Sequence, residues 1–219
     1  MNRRIIEQLN SIEISHLFAK NHNHGLELYG HWNLFEPTKF VYAFFAFNMV
    51  YSIDWEESIS VNRIQYVNDR AKSLFIDTIK FISDFDEILF ENELSKLDPT
   101  RELYAVISKM TYDRNSSKKS EFTNNTIAQD FKIASKKFSD YQALNSDDHF
   151  DLLQMSYTVR NNIFHGEKKA MQMAEAGQRE RLLHYANIIL ATNEAFFEVM
   201  HRKYGYRRME NWEVSDNII

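Results

Sequence analysis

Five glycines and two prolines among 219 residues leave this chain few places to reverse direction. A sheet protein turns every few residues and relies on both residue types to do so. A chain this poor in them becomes compact as long helices joined by few loops. Hydrophobic residues make up 44% of it and aromatics 14%, with 17 Phe and 11 Tyr, enough for a large core. The length fits one domain, or one domain with appendages. The expected class is all-α.

Apolar periodicity places the helices. Ile5, Ile6, Leu9, Ile12, Leu17 and Phe18 recur at near-helical spacing across residues 3–20. Asn21 to Gly30 is polar, contains glycine and reads as a loop. Pro37 suits the first turn of the next helix. From Phe40 to Tyr51 that helix is apolar nearly all round, so it belongs in the middle of a bundle or in an oligomer interface. The run is about 12 residues, short of the ~20 needed to span a bilayer. A third helix is expected from about Ile59 to Phe85. Asp98-Pro99 reads as a cap followed by a first helical residue, starting a helix that runs to about Tyr112. Asp113 to Asn125 is a polar surface loop. Helices follow over Thr126–Tyr141, from Asn145–Asp148 to a C-cap at Gly166, and over about Ala174–Tyr204. The tail after Gly205 is expected to fray.

A formal net charge of −5 and a pI near 5.9 exclude general polyanion binding. Any nucleic-acid contact must use a local basic patch. With no cysteine, disulfides, thiolate zinc sites and cysteine nucleophiles are excluded together. This composition fits a cytoplasmic protein. The start, MNRRIIEQLNSIEIS, holds no apolar run of signal-peptide length. No βαβ alternation or glycine-rich phosphate loop is present, which argues against dinucleotide and P-loop chemistry.

The densest chemistry lies in Arg160-Asn161-Asn162-Ile163-Phe164-His165, closed by Gly166. A fixed cation, two amides and an imidazole share about a turn and a half of helix. At ~100° per residue, Asn161 and His165 lie on one face and Asn162 borders it, while Arg160 and His165 diverge by ~140°. The last two meet at one phosphate if the helix end distorts, which Gly166 makes inexpensive, or if a second molecule completes the site.

An arginine and a histidine at this spacing, a polar residue directly after the arginine, and a late position in a helical chain resemble the HEPN superfamily (higher eukaryotes and prokaryotes nucleotide-binding domains). The matching residues are Arg160, Asn161 and His165. The resemblance covers roughly Lys39 to Tyr204. It implies an up-and-down helical bundle over residues 37–205 that dimerises, preceded by a helix-and-loop extension over 1–36 and followed by a tail over 206–219. It also implies a metal-independent endoribonuclease without cofactors, acting as a toxin or in antiviral defence. An RNA substrate and an antitoxin or regulatory protein would be its partners, and no membrane is involved.

The residue chemistry accords with that implication. RNA brings its own nucleophile, the 2′-hydroxyl. Its proton must leave, the phosphorane must be stabilised, and the departing 5′-oxygen must be protonated. A histidine with a pKa near ~6.5 serves as base or acid. Arg160 stays cationic and offers a fork matched to phosphate oxygens. Asn161 would orient the imidazole or donate to phosphate, with Asn162 beside it. One motif holds one histidine while the reaction moves two protons, so a two-fold dimer with both copies of Arg160 and His165 in one cleft is expected. The products would be a 2′,3′-cyclic phosphate and a 5′-hydroxyl.

Two readings stand for several of these residues. A His-Gly pair also simply ends a helix, where a cation suits the dipole. Lys168 and Lys169 either guide RNA or are solvated. Arg202, Lys203, Tyr204, Arg207 and Arg208 form a basic, tyrosine-containing stretch suited to single-stranded RNA, yet cations favour a helix C-terminus for dipole reasons alone. His22, His24 and His31 read as a solvated loop and not a metal site. Phe40, Tyr42, Phe44, Phe45, Phe47 and Tyr51 read as core or dimer interface.

Overall fold

A computed structural model describes residues 3–22, 27–28, 32–33, 35–50, 70–109, 126–164, 173 and 175–209. Among them are eight helices, numbered here in chain order: α1 (Arg3–Asn21), α2 (Phe35–Val50), α3 (Arg70–Ser83), α4 (Leu89–Leu97), α5 (Leu103–Lys109), α6 (Thr126–Ser139), α7 (Ser146–Phe164) and α8 (Ala176–Tyr204). The all-α expectation holds, and the helices pack as a bundle. Within the expected 21–30 loop lies one half of a two-residue antiparallel pair, β1 (Glu27–Leu28) and β2 (Trp32–Asn33), with Glu27 opposite Asn33. None of the helices described is long and apolar enough to cross a membrane.

α8 is the axis of the bundle. Every residue from His184 to Phe197 is buried. A helix wrapped on all sides must satisfy its polar groups within the protein. α8 meets most of that demand: His184 Nδ1 lies 3.4 Å from the Asp98 carboxylate, Asn187 donates to the Leu97 carbonyl, and Asn193 donates to the Ala43 carbonyl. Thr192 donates to the Ile188 carbonyl and lies 2.9 Å from His149 Nε2. The His149 ring stacks nearly parallel on Phe90.

α2 packs against both α8 and α1. Pro37 is its third residue, in the first turn as expected. Phe40, Phe44 and Phe47 are fully buried, forming an aromatic chain that reaches Tyr185, Tyr157 and Phe75. The buried stripe of α1 is Ile5, Leu9, Ile12, His16 and Ala19. The expected members Ile6 and Phe18 are exposed.

Three expectations need correction or extension. The helix expected from Pro99 starts at Leu103. Arg101 has φ 52°, which breaks the helical path. The Asp98 carboxylate spans the turn instead and accepts from the Glu102 and Leu103 amides. Burial pushes its pKa up, but His184 and these two amides outweigh that and hold it below the usual value. Second, α4 occupies a stretch to which periodicity assigned no element. Third, the chain after Gly205 does not fray at once. Gly205, at φ 69°, ends α8, and its amide and that of Tyr206 bond back to His201 and Met200. Residues 206–209 then fold onto α1, with Tyr206 buried. Residues 59–69 of the expected third helix, the end expected near Tyr112, and Gly166 lie outside the described residues.

Candidate functional site

α7 carries the Arg-Asn-Asn segment to its end. Its start is fixed by a reciprocal pair in which the Asn145 amide donates to Asp148 and the Asp148 amide donates to the Asn145 side chain. Lys137 braces Asp148 from α6 at 2.6 Å. Leu152, Leu153, Met155 and Val159 then anchor the helix in the core. This rigid support delivers Arg160, Asn161 and Asn162, all half-buried, to the last turn.

Arg160 is held from two sides. Its Nη1 donates to Asn161 Oδ1 at 2.9 Å. Its guanidinium carbon lies 5.6 Å from the Phe44 ring centroid and 6.0 Å from that of Tyr157. Ring faces attract a cation and restrict where the fork points. Tyr157 precedes Arg160 by three residues and so shares its helical face, a spacing visible in the sequence. Phe44 arrives from α2, and no local pattern announces it. Asn161 therefore touches the arginine beside it. His165, Gly166, Lys168 and Lys169 lie outside the described residues.

The basic stretch at the end of α8 divides. Arg202 donates to Glu198 at 2.6 Å, and Lys203 Nζ sits 5.5 Å from the Tyr204 ring. Tyr204 stacks on Phe81 with planes 10° apart. Arg207 is exposed. Arg208 turns inward, donating through Nε to Glu13 and through Nη2 to Glu194, each at 2.7 Å.

Arg208 belongs to a buried polar cluster that joins α1, α8 and the segment after α8. Glu13 also accepts from the Tyr206 hydroxyl at 2.8 Å and from the Met209 amide at 3.0 Å. Glu194 lies 2.9 Å from His16 Nε2 and also pairs with Lys20. Burial raises the Glu194 pKa, but His16, Arg208 and Lys20 more than offset it and hold the carboxyl below the usual carboxylate range. Burial and the neighbouring Glu13 carboxylate push the Tyr206 hydroxyl up. The cluster is internally satisfied to a large degree and reads as structural.

Among the three loop histidines proposed as solvated, His22 is half-buried and packs near the Phe18 and Tyr42 rings. His24 and His31 lie outside the described residues. Comparison of the chain with protein-family models, curated proteins and solved structures finds no match to any of the three.

Proposed function

We propose that this protein is a metal-independent endoribonuclease of the HEPN type, acting as a toxin or antiviral-defence effector. In this reading Arg160 binds the scissile phosphate and stabilises its developing charge. His165 takes the proton from the 2′-hydroxyl, whose oxygen attacks phosphorus. The P–O5′ bond breaks, and the 5′-oxygen receives a proton from the second copy's histidine. The products are a 2′,3′-cyclic phosphate and a 5′-hydroxyl. DNA is inert because it lacks the nucleophile.

The observation that carries the reading is the last turn of α7, where Arg160 is oriented by Asn161, Phe44 and Tyr157 on a rigidly anchored helix. A guanidinium that is pre-positioned contributes more to catalysis than one that must be ordered during the reaction. Lys203 and Arg207 add exposed positive charge at and just beyond the end of α8.

A second reading is a non-catalytic helical module that binds a nucleotide or a protein. It is favoured by the engagement of Arg202 and Arg208 with carboxylates, which reduces the charge available to RNA. One experiment separates the two. Labelled RNA is incubated in EDTA with wild type, Arg160→Ala and His165→Ala. The nuclease reading expects cleavage by the wild type, cyclic-phosphate ends, and loss of at least ~100-fold in each variant. Equal behaviour of all three supports the binding module.

A further inference from the structure

α2 turns an uncharged face to solvent. Phe45 there is 57% exposed and Tyr42 38%, beside the half-buried Val41, Asn48 and Met49. On the adjoining crest of α1, Ile14 and Phe18 are each more than half exposed. A surface helix normally places charges opposite its core stripe. Between the two helices runs a groove of about 590 Å³, with Ile12, Phe45 and Met49 as apolar walls and Gln8, Ser11 and Asn48 in its polar lining. A side-chain amide both donates and accepts, as a peptide group does. Such a lining fits an extended peptide, its apolar side chains on the walls and its backbone against the amides.

A peptide is tethered close by. Tyr206 reaches Asn10 and Glu13 of α1, and the Met209 amide donates to the Glu13 carboxylate at 3.0 Å. Residues 210–219, outside the described residues, join the chain at this anchor. Glu13 and the groove residue Gln8 lie ~140° apart round an ideal helix, an arc of roughly 14 Å on a cylinder ~10–12 Å across. At ~3.3 Å per extended residue, about five residues cover that arc and ten run on along the groove. The segment carries Trp212, Val214, Ile218 and Ile219, together with Glu210, Glu213 and Asp216 and no Lys or Arg. Of the charged residues lining the groove, Glu7 is paired with Arg3, and Arg4 has the charge opposite to the segment's.

We infer that the α1–α2 groove is the docking site of this chain's own residues 210–219. The segment crosses α1 from the Glu13 anchor, Trp212 covers Ile14 on the crest, and Val214 and Ile218 pack on Phe45 and Met49. The tether is what selects this occupant. A short tether holds its segment at a local concentration on the order of 1 mM, so a contact as weak as ~100 µM stays closed about nine-tenths of the time. A contact of that strength is also readily displaced, so the face opens when another partner engages the segment. The inference does not rest on the nuclease reading.

The chain has no cysteine, so disulfide trapping reads the contact directly. Asn48→Cys is combined in turn with Val214→Cys, Asp216→Cys and Ile218→Cys. At least one pair should close within a single molecule under mild oxidation, read by intact mass. The same segment cysteines combined with Ile133→Cys, at an exposed position on α6, should not close. The second readout is the rate at which dilute hydrogen peroxide oxidises Met49. Trp212→Asp together with Ile218→Asp should raise that rate by up to ~10-fold, the gain in exposure when a contact closed about nine-tenths of the time is lost. Met155, buried in the core, should keep its rate, which shows that the fold is intact. Groove pairs that close no faster than the Ile133 pairs overturn the inference, and so does an unchanged Met49 rate. A groove disulfide that links two molecules also overturns it and assigns the face to a second copy.

Discussion

Arg208→Met tests the cluster that ties the end of the described chain to its first helix. The arginine side chain is 11% exposed and its partners Glu13 and Glu194 are 0% and 6% exposed. Methionine keeps much of the volume and removes the charge. Glu194 retains His16 and Lys20, but Glu13 keeps only the Tyr206 hydroxyl and the Met209 amide. A buried carboxylate without its cation is the costly species, and removing one partner of such a pair destabilises by about 3–5 kcal/mol. For a chain of this size that lowers the melting temperature by roughly 6–20 °C. The assay is chemical denaturation followed by far-UV circular dichroism. Arg207→Met, at the exposed neighbouring position, should change stability by less than ~0.5 kcal/mol. Adding Glu13→Gln to Arg208→Met should restore about half of the loss, since an amide needs no counter-charge and its oxygen still accepts from Tyr206. A loss under ~1 kcal/mol for Arg208→Met, or no recovery in the double variant, would refute the reasoning that the pair is desolvated and coupled.

The remaining predictions concern His149 and Asp151 of α7 and Tyr185 of α8. Burial holds His149 down to about 3, so the unfolded chain takes up a proton below pH ~6.5 that the folded protein refuses. Its contribution is complete above that pH and is lost by about 1.4 kcal/mol per unit as pH falls toward 3. Asp151 acts oppositely: burial and the carboxylates of Asp130, Asp148 and Asp147 raise it to about 6, so between pH ~4 and 6 the folded state holds the extra proton. The two slopes oppose each other in that window, and Asp151→Asn should make stability fall more steeply on acidification, read from denaturation midpoints at several pH values; an unchanged slope would contradict the assignment. The Tyr185 hydroxyl is buried and has no hydrogen-bond partner among the described residues. Tyr185→Phe should therefore be neutral or stabilising by up to ~1 kcal/mol, and a clear loss of stability on denaturation would show that the hydroxyl is satisfied.

What was legible in the sequence follows from the range of the forces involved. Scarce glycine and proline, with a repeat near 3.6, placed α1, α2, α6, α7 and α8 to within a few residues, because each signal sits inside one helix. α4 is only nine residues long and gave too short a pattern. Asp98 was recognised as a cap, yet it spans a turn before the helix begins, because Arg101 is drawn to the Phe138 carbonyl and lies between the Phe138 and Tyr141 rings. Arg160 and Asn161 were legible as chemistry and meet in the structure. Phe44, which helps hold that arginine, was legible only as an apolar residue. The sequence shows Arg208 only as part of a basic stretch, because its acids lie 195 and 14 residues away, on helices whose own periodicity says nothing of which charge they face.

The bond between Glu13 and Arg208 has a consequence for how the molecule is made. During synthesis α1 leaves the ribosome well before α8, already carrying a glutamate destined for a water-free position. Its counter-ion is translated 195 residues later. At ~5–20 residues per second the helix waits roughly 10–40 seconds for it. Until then docking α1 against the nascent bundle would strand an unpaired acid, so a helix made well before its counter-ion is set to lock only after it arrives.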